Sequence, residues 1–226
     1  MKMKNKKAEQ LSDKQKHRDS LRNQRRSEPI LDRQAANLTE KPSILIVCEG
    51  KNTEPSYFNQ FRLSSARVKP IGEGYNTISL VNRAIYLSEQ DTYDQVWCVF
   101  DKDDFNENDF NNAIQIAQTN NFGVAYSNQS FEYWFILHFD DHQGSGINRE
   151  TYNEKINKLL KPFKVKYDGN GTKKVEEDFF DLLNNRIHLA IMRAERNYNQ
   201  LDHRNPAKEE SSTTVFRLVK ELLKYL

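Results

Sequence analysis

The chain has 226 residues, 34 Lys and Arg against 32 Asp and Glu, and 37% hydrophobic residues, which is enough to build a packed core and excludes wholesale disorder. Two cysteines exclude a disulfide framework or a cysteine-based zinc site. No apolar run approaches the ~20 residues a bilayer span needs, and the lysine-rich start lacks the apolar centre of a secretory signal, so a cytoplasmic protein is expected.

The net charge of +2 is unevenly distributed: residues 1–41 hold 12 basic and 6 acidic residues, the rest 22 and 26. Residues 1–41 show little apolar periodicity and read as a basic arm, flexible or helical. It is either a solubilising leader or an arm that attracts nucleic-acid phosphates.

The ordered part begins near Pro42. Ser43-Ile44-Leu45-Ile46-Val47-Cys48 is a short β-branched run of the kind buried on both faces of a parallel sheet, and it stops at Glu49-Gly50. Thr53-Glu54-Pro55 predicts a helix start with Thr53 as its cap, and Tyr57, Phe58 and Phe61 follow at helical spacing. A second strand is predicted over 66–71, a turn over 72–74 and a helix over 77–89. A third strand, Gln95-Val96-Trp97-Cys98-Val99-Phe100, ends at Asp101. A helix over 107–119 precedes a fourth strand over 122–126, which leads into Ser127 and Asn128. Strands alternating with helices predict a mostly parallel α/β sheet flanked by helices. Residues 130–139 read as a buried aromatic helix, 144–146 and 168–171 as loops, and 213–226 as a closing amphipathic helix. The organisation expected is therefore an arm over 1–41, an α/β core over 42–139 and a helical C-terminal extension over 140–226 packed on that core. Cys48 and Cys98, inside apolar runs, are expected to be reduced core residues.

Ligands of open parallel sheets bind beyond the carboxyl ends of the strands. Glu49 follows the first strand, and Asp101-Lys102-Asp103-Asp104 follows the third. If those strands are neighbours the carboxylates converge, and converging carboxylates call for a cation. Mg²⁺ or Mn²⁺ suits such oxygen ligands. In an extended Asp-x-Asp, alternate residues point the same way, which predicts Asp101 and Asp103 side by side. Gly50-Lys51 is not a P-loop, because the preceding glycine and the following Ser or Thr are missing, so any ATP hydrolysis belongs to a partner.

The block Ile44-Leu45-Ile46-Val47-Cys48-Glu49-Gly50 with Lys51, Thr53-Glu54-Pro55 and Tyr57-Phe58 resembles the opening of the RloB family, proteins with a Toprim-like fold. Three further blocks fit: Val99-Phe100-Asp101-Lys102-Asp103; Ser127-Asn128 with Ser130-Phe131-Glu132-Tyr133-Trp134-Phe135 and Leu137-His138-Phe139; and Asn205-Pro206 with Ser212-Thr213-Thr214-Val215. The resemblance implies Glu49 as metal ligand or general acid/base and Asp101 and Asp103 as metal ligands. It also implies a place in restriction and anti-phage defence loci, often beside an ATPase. Lys51, Lys102, Asp104, Asn128 and Glu132 are accessory candidates. Glu132 stands between a ligand or water-positioning role and a first-turn acid favoured by the helix dipole. His138 reads as a core or capping histidine.

The leading expectation is an Mg²⁺-dependent nuclease acting on DNA or RNA in anti-phage defence. The alternatives are a catalytically inactive nucleic-acid-binding or regulatory subunit of a defence complex, and a nucleotidyl transferase or primase-like enzyme. No membrane partner is expected, and self-association stays open.

Overall fold

Four short strands, β1 (Ile44–Cys48), β2 (Ala66–Pro70), β3 (Gln95–Asp101) and β4 (Gly123–Ser127), line up in the order β2-β1-β3-β4 with every neighbouring pair parallel. The computed structural model describes residues 12–20, 22, 41–70, 77–103, 106–143 and 149–226. The chain forms two units, residues 1–40 and 41–226. In the first, residues 12–20 are helical with every side chain exposed, and most of the predicted basic arm lies outside the described residues. The predicted turn over 72–74 also lies outside them.

All five residues of β1 are fully buried, which is why its sequence is continuously apolar rather than alternating. Leu45 and Val47 face a layer that includes Cys98, Phe100, Val124 and Tyr126, covered by α2 (Thr77–Gln90) and α3 (Glu107–Thr119). Ile44, Ile46 and Cys48 face the opposite way, with Val99 and Ala125, into a larger core. That core is built by α1 (Thr53–Asn59), α4 (Glu132–Phe139), α5 (Arg149–Leu160), α6 (Glu177–Asn184), α7 (Ile187–Asn199) and α8 (Val215–Leu222). Strand alternation has thus been turned into three layers. The helices after residue 139 belong to the same unit as the sheet.

The α4 helix is buried around its whole circumference: Tyr133 through Leu137 have no exposed surface and His138 is 1% exposed. A helix apolar on all sides has to be central, and ring contacts tie it to α1 through Tyr57 and Phe135 and to α6 through Phe135 and Phe179. Within it, His138 Nδ1–H donates to the Trp134 carbonyl at 2.9 Å, and burial lowers its pKa from 6.5 to about 3. It is a neutral core histidine, as the sequence suggests. Both cysteines are buried thiols.

Local departures from the sequence reading have local causes. Asn52, not Thr53, is the N-cap of α1, because Thr53 is already helical and its hydroxyl lies 3.3 Å from that of Tyr167. The last helix starts at Val215 rather than residue 213, because Thr213 and Thr214 are bound to β4. Thr214 donates from Oγ1 to the Val124 carbonyl (3.1 Å), accepts the Tyr126 N–H there (2.9 Å), and sends its own N–H to the Tyr126 carbonyl (2.8 Å). A short antiparallel bridge, Ser127 to Thr213, continues this pairing. The edge of β4 is thereby covered, which removes an exposed ladder of backbone groups.

Candidate active site

The carboxyl ends of β1 and β3 meet because the strands are neighbours in register, with Cys48 opposite Val99. Glu49 leaves the sheet with its N–H still donating to the Val99 carbonyl at 2.9 Å. Its side chain turns across to β3, where Oε2 accepts the backbone N–H of Asp101 at 3.1 Å. Asp101 is 5% exposed and Glu49 half-buried. Two carboxylates therefore share one sheet end, one covered and one reaching solvent.

Asp103 departs from the sequence expectation. Strand alternation requires extended backbone, but β3 ends at Asp101 and Asp103 sits in a turn at φ 40°. That left-handed conformation is one Asp tolerates better than most residues. It is fixed by the Asp103 N–H donating to the Gln129 carbonyl at 3.1 Å, and Gln129 is itself left-handed at φ 81°. Two strained residues bonded across adjacent loops mark a place where backbone preference has been overridden. Lys102, 8% exposed, donates from Nζ to the Asp103 carbonyl at 3.2 Å and so braces this turn from within. Lys51 is exposed. Asp104 lies outside the described residues.

Asn128 serves the framework. Its Nδ2 donates to the Pro206 carbonyl at 2.9 Å and its N–H to the Ser212 carbonyl at 2.8 Å. Asn205, one residue earlier, accepts from Asn111 of α3 at 2.8 Å. Three separated sequence blocks, at 127–128, 205–206 and 212–214, thus form one brace behind the loop that holds Asp103.

A second acidic group adjoins the first. Glu54, 5% exposed, folds back over Gly50, where an added Cβ would stand 2.3 Å from Glu54 Oε2. Glu132, 2% exposed at the start of α4, accepts the Tyr167 hydroxyl through Oε1 at 2.9 Å, and the same hydroxyl lies near Thr53. The charges are felt by their neighbours. Burial and then Glu132 push the Tyr167 hydroxyl up, and burial and then Glu54 push the Cys48 thiol up. The sequence marks Thr53 and Glu54 as a helix start within the family block and not as site residues, and it does not mark Tyr167 at all. A signal existed for Glu54, an acid five residues after Glu49 with a glycine between them; none existed for Tyr167.

Among the described residues no three His, Cys, Asp or Glu side chains are gathered closely enough to hold a metal ion. The Glu49–Asp101 pair still suits Mg²⁺, which is commonly held by one or two carboxylates with waters and substrate phosphate completing its shell.

The fold and the acidic strand ends define an α/β protein with a four-stranded, all-parallel sheet flanked by helices. The sequence model of the RloB-like protein family matches residues 44–222, and the chain belongs to that family. No curated protein and no solved structure matches it. Among the described residues no helix is long and apolar enough to cross a membrane.

Proposed function

We propose that this chain is a nuclease that cleaves phosphodiester bonds in DNA or RNA with Mg²⁺ or Mn²⁺, acting as an effector of bacterial anti-phage defence with an ATPase partner. The observation that carries this reading is the Glu49 carboxylate bound across to the Asp101 backbone where the two central strands end. Glu49 and Asp101 would hold the cation, with Asp103 in the turn that follows as a further candidate ligand. Mg²⁺ bound there would polarise a phosphoryl oxygen and lower the pKa of a bound water. Glu49, the more exposed of the two, would take a proton from the attacking water or hydroxyl. Lys51, exposed two residues after it, would contact a phosphate.

The test is cleavage of plasmid, linear DNA and total RNA with Mg²⁺ or Mn²⁺, with and without any ATPase encoded in the same locus. Glu49→Gln should lower the rate by about 10²–10⁴-fold, the range for a lost general acid or base. Asp101→Asn should abolish cleavage, leave the metal-free melting temperature unchanged or higher by relieving repulsion with Glu49, and shrink the stabilisation by Mg²⁺. An equal Mg²⁺ response in wild type and Asp101→Asn would sink the metal-site reading.

A second reading, a non-catalytic nucleic-acid-binding or regulatory subunit, is favoured by the absence of a three-ligand group among the described residues. It predicts nucleic-acid binding without cleavage under every one of these conditions.

A further inference from the structure

Between Lys158 and Lys174 the chain carries six lysines, at 158, 161, 164, 166, 173 and 174, and one acid, Asp168. The unit they belong to is otherwise acidic on balance. Five of the six are exposed and Lys173 is half-buried, and among the described residues no carboxylate pairs with any of them. Asp168 is turned onto its own loop, where its carboxylate accepts the N–H groups of Gly171 (3.0 Å) and Thr172 (2.9 Å). The positive charge is therefore not neutralised within the segment.

The segment is held rigidly beside the acidic site. Asn157 exchanges two hydrogen bonds with the Tyr167 backbone, at 2.9 and 3.0 Å. The Tyr167 hydroxyl reaches Glu132 and Thr53 at the first turns of α4 and α1. At the far end, the Val175 N–H donates to Ser56 Oγ at 2.8 Å and Gln60 donates to the Val175 carbonyl at 3.3 Å. The lysine-rich backbone is thus fastened along α1, the helix that follows Glu49 and Gly50.

Two further features distinguish it from an ordinary solvated face. Lys164 and Lys173 both adopt left-handed backbone, at φ 59° and 54°, where glycine is the unstrained choice. Lysine stands at both although the backbone there favours glycine. Between Lys161 and Lys164, Phe163 leaves 40% of its surface to solvent, and the Arg186 guanidinium lies 4.7 Å from its ring centroid. Lysines spaced along an irregular backbone with an exposed aromatic ring match the combination that grips a single-stranded nucleic acid, phosphates on the cations and a base stacked on the ring. A duplex offers no unstacked base to such a ring.

We propose that residues 158–174 form a binding track for single-stranded nucleic acid, which leads the strand toward the acidic strand ends. Its placement rests on the phosphodiester reading above, but binding along it does not require cleavage. The test measures binding of the full-length chain to a labelled single-stranded oligonucleotide, and to its duplex, in chelator across a salt series. Lys164→Gly with Lys173→Gly removes two charges while relaxing the backbone. This variant should melt no lower than wild type and should reduce the salt slope by about 1.4, at ~0.7 per phosphate contact on single strands. Phe163→Ala should weaken single-strand binding about tenfold or more and leave duplex binding unchanged. An unchanged slope in the glycine variant, or a wild type that prefers the duplex, would overturn the proposal. So would binding to anionic phosphatidylserine vesicles with none to the oligonucleotide. Because these readouts are taken without metal, a failed track and a failed nuclease give different results: lysine-dependent binding with no cleavage under any condition would refute only the catalytic reading.

Discussion

His138 shows how a residue suited to catalysis is made inert by its surroundings. It is buried at the centre of α4, and burial, with the nearby charges of Arg186 and Arg193 adding to it, holds the imidazole neutral down to about pH 3. The unfolded chain binds a proton at this residue near pH 6.5 while the folded chain does not. Its contribution to stability is therefore fully present above pH 6.5 and is lost as pH falls from 6.5 toward 3. His138→Gln should flatten the fall of denaturant-derived stability across that window relative to wild type. Parallel pH profiles for the two proteins would show that the imidazole is not the group being titrated. At the sheet end Glu49, unlike His138, is kept partly in solvent, where a substrate can reach it.

The elements were readable in the sequence to the extent that their causes are local. The apolar run 44–48 dictates a strand buried on both faces, and the acids that follow the first and third strands fall at one sheet end because those strands pair. Asp103 does not continue the strand's alternation, because its backbone is set by a hydrogen bond to Gln129, a partner in another loop that no spacing rule anticipates. Thr213 and Thr214 read as helix but serve as an edge for β4, since their partners lie 88 and 90 residues earlier for Thr214. Tyr167 joins the site from 114 residues beyond Thr53, beyond the reach of any local pattern. Thr214→Val tests the edge element. It keeps the side-chain shape but leaves the buried Tyr126 N–H without its acceptor, and should cost about 1–3 kcal/mol. Urea unfolding measures this directly, and a change under ~0.5 kcal/mol would mean that the stitch is held by its backbone bond alone.

At the scale of the whole unit, the two cysteines report on opposite sides of the sheet. Cys48 packs with the larger helical layer and Cys98 with α2 and α3. Burial pushes the Cys98 thiol up to about 12 and the Cys48 thiol up as well, with Glu54 adding to the latter. The reactive species is the thiolate, so neither should react with a thiol reagent at pH 8 until the sheet opens. If the three layers unfold together, the two should be modified at the same rate with the same denaturant dependence. Selective labelling of Cys98 under native conditions would reveal that the α2–α3 layer detaches on its own.

The stitch between Thr214 and β4 also constrains how the protein comes into being. A ribosome that has just decoded Tyr126 must add 88 more residues before the segment that covers this strand exists, which at roughly 5–20 residues per second takes about 4–18 s. Throughout that interval β4 is an open edge, and the loop carrying Gln129, which holds the Asp103 turn, lacks the brace behind it. An mRNA cut before codon 212 should therefore yield a chain with an uncovered sheet, prone to pairing with its own copies and directed to proteolysis, so translation must run almost to residue 214 before the acidic centre can take its folded form.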